Sequence, residues 1–359
     1  MKVAVIGVGG MGFTHVKALK ALSETMDVQV VAIADVRKEF LDKALEEWHE
    51  ARGYADGMEL LEKEELDAVH ICVPSYLHEK LAVAAMEKGI HVLVEKPACL
   101  SVEECGRMLE AQKRSGVSVM VGQVVRFFPE YRYLRNAVRS GEFGKLKSLE
   151  LARLSGNVTW GYEDWFHDEK KSGSVVLDLH IHDLDFLRYT FGNPSEMTCT
   201  ATAYPNGMVN KIMTEYKFPG VDALVSAEGL WSISESFPFC PRFYAQFEEA
   251  DVSFDGRDKP DTLKIYRKDG SIEKPDVSEA FALEGAGGGI NVSVFGPYYT
   301  EIQYFYQCLE AGEEPKIASL QEGTESVKYA LKEWELAKKY MKAGTEHESR
   351  MHNRLFYRR

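Results

Sequence analysis

The chain has 359 residues, 45% of them hydrophobic and 28% charged, with a formal net charge of -13. That size and balance imply a globular protein of two ordinary domains. The acidity, with no long Lys/Arg cluster outside the tail, argues against nucleic acid or an anionic membrane as a partner, and no apolar run approaches membrane-spanning length.

The first 122 residues alternate strand-like and helix-like runs. Val3 to Ile6 reads as a buried strand, Phe13 to Leu22 as a helix, and Val28 to Ala34 as a second strand ending at Asp35. Lys38 to Trp48 is helical and charged, Ala68 to Val73 is a strand stopped by Pro74, and Leu77 to Lys88 is a helix ended by Gly89. Ile90 to Val94, the helix Val102 to Ser115 and the strand Val117 to Val121 complete the series. Such alternation predicts a doubly wound parallel sheet. A strand at the very start leads to the expectation of no secretory leader. The six cysteines are scattered without a C-x-x-C pair, which argues against a disulfide framework or structural zinc and suits a reducing cytosol.

After Gly122 the pattern changes. Glu130 to Ser140 looks helical, Leu146 to Leu154 is a strand, and Ser174 to Phe191 is a helix closed by Gly192. From Glu196 to about Tyr266 successive strands are separated by turn signals such as Pro219-Gly220 and Asp269-Gly270. A mostly antiparallel sheet carrying helices is expected there. Glu284 to Ile290 is glycine-rich and reads as a mobile loop. Tyr298 to Ala311 and Gln321 to Ala343 read as terminal helices. The predicted organisation is residues 1–122, residues 123–343, and a polar tail over 344–359 that is loose or docked on a partner.

Gly7-x-Gly9-x-x-Gly12 follows a strand and opens a helix, the context in which a glycine loop cradles a pyrophosphate. Gly7 permits the turn, Gly9 admits the phosphates and Gly12 lets helix and strand pack. Gly10 and Met11 lie within the loop, and the helix N-terminus turns its partial positive charge to the anion. Asp35 stands about twenty residues on, as ribose recognition requires. Its carboxylate accepts from a ribose 2′-hydroxyl and repels a 2′-phosphate, which favours NAD over NADP. Arg37, two residues later, softens that preference.

Glu95-Lys96-Pro97 closes the apolar run before it. Ligands of open parallel sheets bind outside the carboxyl ends of the strands, so Lys96 is expected to face the cofactor. In Leu177-Asp178-Leu-His180-Ile-His182-Asp183-Leu-Asp185, a helix puts Asp178 and His182 on one face, with Asp185 extending the stripe. That pair suits proton transfer. His180-x-His182 also has a metal-like spacing, but on a helix residues two apart diverge by about 200°, so no metal is expected. Satisfied polar residues under a helix cap are the plainer alternative.

In order and spacing, Gly7-x-Gly9-x-x-Gly12, Asp35, Cys72-Val-Pro74-x-x-x-His78, Glu95-Lys96-Pro97 and Asp178-x-x-x-His182 resemble the glucose-fructose oxidoreductase / inositol dehydrogenase / rhizopine catabolism family (Gfo/Idh/MocA). The resemblance runs to about residue 343 and is looser after Pro297. It implies an α/β fold: an N-terminal Rossmann sheet plus a C-terminal α+β domain with an open, mostly antiparallel sheet. It also implies hydride transfer between NAD or NADP and a hydroxyl or carbonyl of a sugar, polyol or related molecule. The family's catalytic lysine, aspartate and histidine map to Lys96, Asp178 and His182. Cofactor contacts are implied at Val36, Val73, Pro74, His78, Glu95 and Gln123. A cytoplasmic homodimer or homotetramer joined through the open sheet is the implied assembly. Two positions depart from the common pattern: Ser75 stands where asparagine is frequent, and His180 where glycine is usual.

Substrate contacts are expected from the second domain. Arg126, Asn157, Trp160, Trp165, Phe166 and His167 lie in loop-like stretches before the Asp178 helix, where aromatics beside polar groups suit a sugar. Packing or subunit contact is the alternative for the two tryptophans. The rival activities are an NAD-retaining glycosidase acting by transient oxidation and elimination, and a non-catalytic NAD-binding regulator.

Overall fold

The computed structural model describes residues 1–259, 262–277 and 296–356, with side chains of the last helix described to Lys342. The glycine-rich segment Glu284 to Ile290 lies outside the described residues.

The first sheet has six strands, β1 (Lys2–Ile6), β2 (Gln29–Ala34), β3 (Arg52–Tyr54), β4 (Ala68–Ile71), β5 (His91–Glu95) and β6 (Val119–Gly122), in the order β3-β2-β1-β4-β5-β6. Every neighbouring pair is parallel. The apolar run of β1 is buried from Val3 to Ile6, as expected of a parallel strand covered on both faces. The order reverses between β1 and β4, which opens the crevice at their carboxyl ends where ligands bind. Local chemistry sets the crossover helices. Val102–Ser115 starts with a reciprocal capping box between Ser101 and Glu104 and ends at Gly116 with φ 70°, a left-handed position that glycine adopts without a Cβ clash.

The second sheet has eight strands, β7 (Leu146–Ser155), β8 (Glu196–Ala203), β9 (Val209–Lys217), β10 (Leu224–Trp231), β11 (Cys240–Phe247), β12 (Ala250–Asp255), β13 (Leu263–Arg267) and β14 (Ile272–Glu273). They lie in the order β14-β13-β12-β11-β7-β10-β9-β8. All neighbours are antiparallel except β7 and β10. Along β11 buried and exposed residues alternate, so one face packs and the other is open. The packed face meets the helix Ile181–Phe191 and the last helix.

Four elements differ from the sequence expectation. Arg52–Tyr54 and the helix Gly57–Lys63 were not anticipated, because each is too short to show a period. The span from Ser174 is not one α-helix: Val176–His180 is a π turn that passes into the α-helix at Ile181. The last helix runs Leu320–Phe356, well past Ala343. The polar tail carries Glu346, Glu348, Arg350, Met351 and Arg354, residues that form helix well without apolar periodicity.

Candidate active site

A cleft of about 510 Å³ opens at the carboxyl ends of β1, β2, β4 and β5 and is walled on its far side by residues of the second sheet and its helices. Its volume suits a small-molecule or cofactor site.

The glycine loop forms one end. Gly7 has φ +83°, and a Cβ there would lie 2.8 Å from the Cys72 carbonyl carbon. A Cβ on Gly12 would come within 1.7 Å of the Gly7 oxygen. Gly12 therefore does not line the cleft but allows the helix Gly10–Leu22 to start against β1. Gly9 caps that helix without a side-chain hydrogen bond, so the first-turn N–H groups at Gly10 and Met11 stay open at the cleft wall. Open N–H groups at a helix start suit an anion. Asp35 is 8% exposed and accepts from Val8 N at Oδ2 and from Arg37 N at Oδ1, both at 2.8 Å. Arg37 lies over the Phe40 ring at 3.8 Å and pairs with Asp35 at 3.3 Å. Its guanidinium is thus held back by the carboxylate that would repel a 2′-phosphate. Val36 stands beside them in the lining.

The turn after β4 and the loop after β5 form the middle wall. His78 faces the Pro97 oxygen with Nδ1 at 2.7 Å and the Val73 oxygen with Nε2 at 2.8 Å. Burial lowers its pKa, against the two carbonyl contacts that raise it. His78 accordingly ties the two loops together, and its ring nitrogens are not offered to the cleft. Lys96 Nζ donates to the Asp178 carbonyl oxygen at 2.6 Å and to Asp178 Oδ1 at 2.9 Å. The two side chains are 15% and 14% exposed, so the ion pair sits at the boundary of cleft and core. His182 shares this wall. Its Nδ1 is buried without a hydrogen-bond partner among the described residues. Burial first, then the charges of Lys96 and Arg153, hold its pKa well below 6.5. The imidazole is therefore neutral at neutral pH and free to accept a proton.

The π turn separates His180 from this pair. Its Nε2 lies 3.1 Å from the Tyr216 hydroxyl and 3.3 Å from Glu333 Oε1, in a fully buried cluster behind the wall. A Cβ on Gly229 of β10 would sit 2.8 Å from the His180 Cβ, so glycine there makes room for the imidazole. Asp178 and His182 face the cleft together and His180 faces away, as helical spacing implied.

Several expected contacts lie elsewhere. Arg126 is 3% exposed and spends Nε and Nη2 on Asp185, each at 2.7 Å. A buried carboxylate captures the arginine, so neither it nor Asp185 reaches the cleft. Gln123 also sits behind the wall, with both amide atoms buried and unpartnered among the described residues. Asn157 accepts from His167 and Tyr204 through Oδ1 and braces the aromatic loop without lining the site. Trp160, Trp165 and Phe166 do line it, and Trp165 stacks on Phe166 with ring centroids 3.9 Å apart. Sequence reasoning missed Arg153 and Tyr298, both in the lining. Arg153 Nη2 donates to Asp183 Oδ1 at 2.8 Å and to the Tyr131 hydroxyl at 3.0 Å. An arginine in the inward register of Leu149 and Leu151 was the available signal.

Residues 1–123 match the family model described as "Oxidoreductase family, NAD-binding Rossmann fold", and residues 131–237 match the "GFO/IDH/MocA C-terminal domain". A myo-inositol 2-dehydrogenase of Thermotoga maritima is 32% identical over 196 residues, 55% of this chain and 56% of that protein. A 2,7-anhydro-N-acetylneuraminate hydratase of Mediterraneibacter gnavus is 28% identical over 201 residues, 56% of this chain and 53% of the other. The chain thus spans somewhat more than half the length of these curated relatives. Among solved structures, a levoglucosan dehydrogenase in complex with NADH and levoglucosan is similar with a TM-score of 0.80, covering 95% of this chain and 98% of that one. At 20% identity that likeness concerns the fold.

Proposed function

Because the chain belongs to the Gfo/Idh/MocA oxidoreductase family, we propose that it is an NAD-dependent dehydrogenase acting on a hydroxyl of a polyol, sugar or sugar derivative. The observation that carries this reading is the Lys96–Asp178 ion pair beside a neutral His182 in one cleft wall, next to the glycine cradle. Residues 1–122 take the dinucleotide and residues 123–343 the substrate. The open helix start at Gly9 to Met11 suits the pyrophosphate, and Asp35 suits the adenosine ribose. Bound there, NAD supplies a ring carbon that accepts hydride from the substrate.

The protein does the rest. Lys96 receives the reacting oxygen and stabilises the negative charge that grows on it. His182 takes the hydroxyl proton, and in the reverse direction returns it. Asp178 holds the ammonium in place and offers its second oxygen to a neighbouring hydroxyl. Trp160, Trp165 and Phe166 cover the apolar face of a ring and keep water out. Met213, Tyr244 and Tyr266, each about two-fifths exposed on the open sheet, support pairing of subunits through that face. The six free cysteines support a reducing, cytosolic setting.

A screen of NAD reduction across inositols, aldoses, anhydro-sugars and glycosides, with NADP in parallel, tests the activity. Stoichiometric release of NADH is the expected result. Turnover of a glycoside or anhydro-sugar without net NADH would replace the dehydrogenase reading with a redox-neutral one.

A further inference from the structure

A buried chain of polar side chains leads away from the reaction wall into the core. Glu95 ends β5, lines the cleft and is 5% exposed. Its Oε2 accepts from the Lys96 backbone N–H at 3.1 Å, and its Oε1 lies 3.1 Å from His15 Nε2. His15 Nδ1 lies 2.8 Å from His70 Nδ1, and His70 Nε2 lies 2.9 Å from the Tyr306 hydroxyl. His15 belongs to the helix Gly10–Leu22, His70 to β4 and Tyr306 to the helix Gly296–Ala311. All three rings are fully buried. The carboxylate itself fits because β6 ends in Gly122, where a Cβ would lie 3.0 Å from Glu95 Cδ.

We propose that His15, His70 and Tyr306 form a directed hydrogen-bond chain that positions Glu95 beside Lys96. Hydrogen-bond bookkeeping sets the direction. A carboxylate only accepts, so His15 Nε2 carries a proton and donates to Glu95. With both rings neutral, His15 Nδ1 then accepts from His70 Nδ1–H. That leaves His70 Nε2 as an acceptor for the Tyr306 O–H. Three donors point one way, and the single net charge is at the end.

The surroundings agree. Burial holds the His70 imidazole well below its ordinary pKa. Burial pushes the Glu95 carboxyl up, but the His15 hydrogen bond and the Lys96 charge outweigh it and hold it low. Cys72, Tyr298 and Glu301 also face Glu95, and each is pushed up by burial and then by the Glu95 charge. These three stay neutral. Glu95 is thereby the anion of this cluster and Lys96 its cation. A carboxylate in the cleft wall favours a cationic ligand over its neutral form, so Glu95 would favour NAD+ over NADH. This last step rests on the dinucleotide reading of the cleft.

Selective 15N-histidine labelling of the ten histidines tests the chain without any cofactor. The expected signals are a neutral His15 protonated at Nε2 and a neutral His70 protonated at Nδ1. A His15 protonated only at Nδ1, or a doubly protonated His15 with His70 protonated at Nε2, would overturn the direction. Tyr306→Phe removes the last donor at nearly constant volume. It should raise the pH at which NAD+ affinity falls, with acid-side Kd rising about tenfold for each unit the Glu95 titration moves, while the Kd for NADH stays put. Parallel weakening of both forms at every pH would mark a merely structural role. If neither form binds the wild-type protein, the dinucleotide reading fails and the labelling result still decides the chain.

Discussion

Replacing Lys96 with methionine keeps most of the unbranched stem and removes its charge. In the structure this deletes two charge-assisted contacts, to the Asp178 carbonyl oxygen at 2.6 Å and to Oδ1 at 2.9 Å. Hydrogen bonds to charged groups contribute about 1.5–3 kcal/mol each, but this pair is partly solvated and Asp178 turns to water when released. The ground state therefore loses little. The transition state loses the group placed to meet charge on the reacting oxygen, an effect worth about 10²–10³ in turnover. A second consequence is acid-base. Lys96 is the second cause, after burial, of the low His182 pKa, so its removal moves that pKa up and shifts the acid limb of the rate profile to higher pH. The assay is NADH formation across pH, with NAD+ affinity measured separately by fluorescence quenching. Expected is a turnover loss of about a hundredfold or more with NAD+ affinity within about threefold. Turnover within about threefold of wild type at every pH would refute the assignment.

Gly12→Ala puts a Cβ within 1.7 Å of the Gly7 oxygen. A lower melting temperature and loss of NAD+ binding by calorimetry are expected, since overpacking of about 1–3 kcal/mol falls directly on the cradle. Asp35→Ala removes the acceptor for Val8 N and frees Arg37. The ratio of NADP+ to NAD+ affinity should rise by about tenfold, and an unchanged ratio would contradict the specificity role. Stability should fall as pH drops below about 6.5. His70, His78 and His182 are held below 6.5 in the fold, so the unfolded chain binds more protons there, and thermal melts that stay flat in acid would contradict this. Glu301 is fully buried, has no partner for either oxygen among the described residues, and is raised well above 4.5. Its contribution is present below the unfolded pKa and is lost as pH rises, so Glu301→Gln should gain on wild type in melting temperature as pH rises. A difference independent of pH would count against it.

Much of this architecture was written locally. The apolar runs of β1, β4 and β5, the capped helix Val102–Ser115 and the glycine turn each follow from a few adjacent residues. So did the placement of Lys96 at a strand end and of Asp178 and His182 on one side of a turn. Short elements such as Arg52–Tyr54 escaped because three residues carry no period. The π turn escaped because one extra residue per turn leaves no mark on composition. Arg126 was misplaced because its sequence context does not reveal the buried Asp185 that claims it.

Sequence by itself determined most of the strand and helix order, the glycine turn with Asp35 at the end of the next strand, and the placement of Lys96, Asp178 and His182 at the cleft. Tertiary structure decided which polar groups meet. Lys96 and Asp178 are 82 residues apart, His15 and Glu95 are 80 apart, and His70 and Tyr306 are 236 apart. Periodicity reports the face a side chain occupies on its own element. A hydrogen bond between elements depends on how two sheets and their helices pack, and on room left by residues such as Gly122 and Gly229.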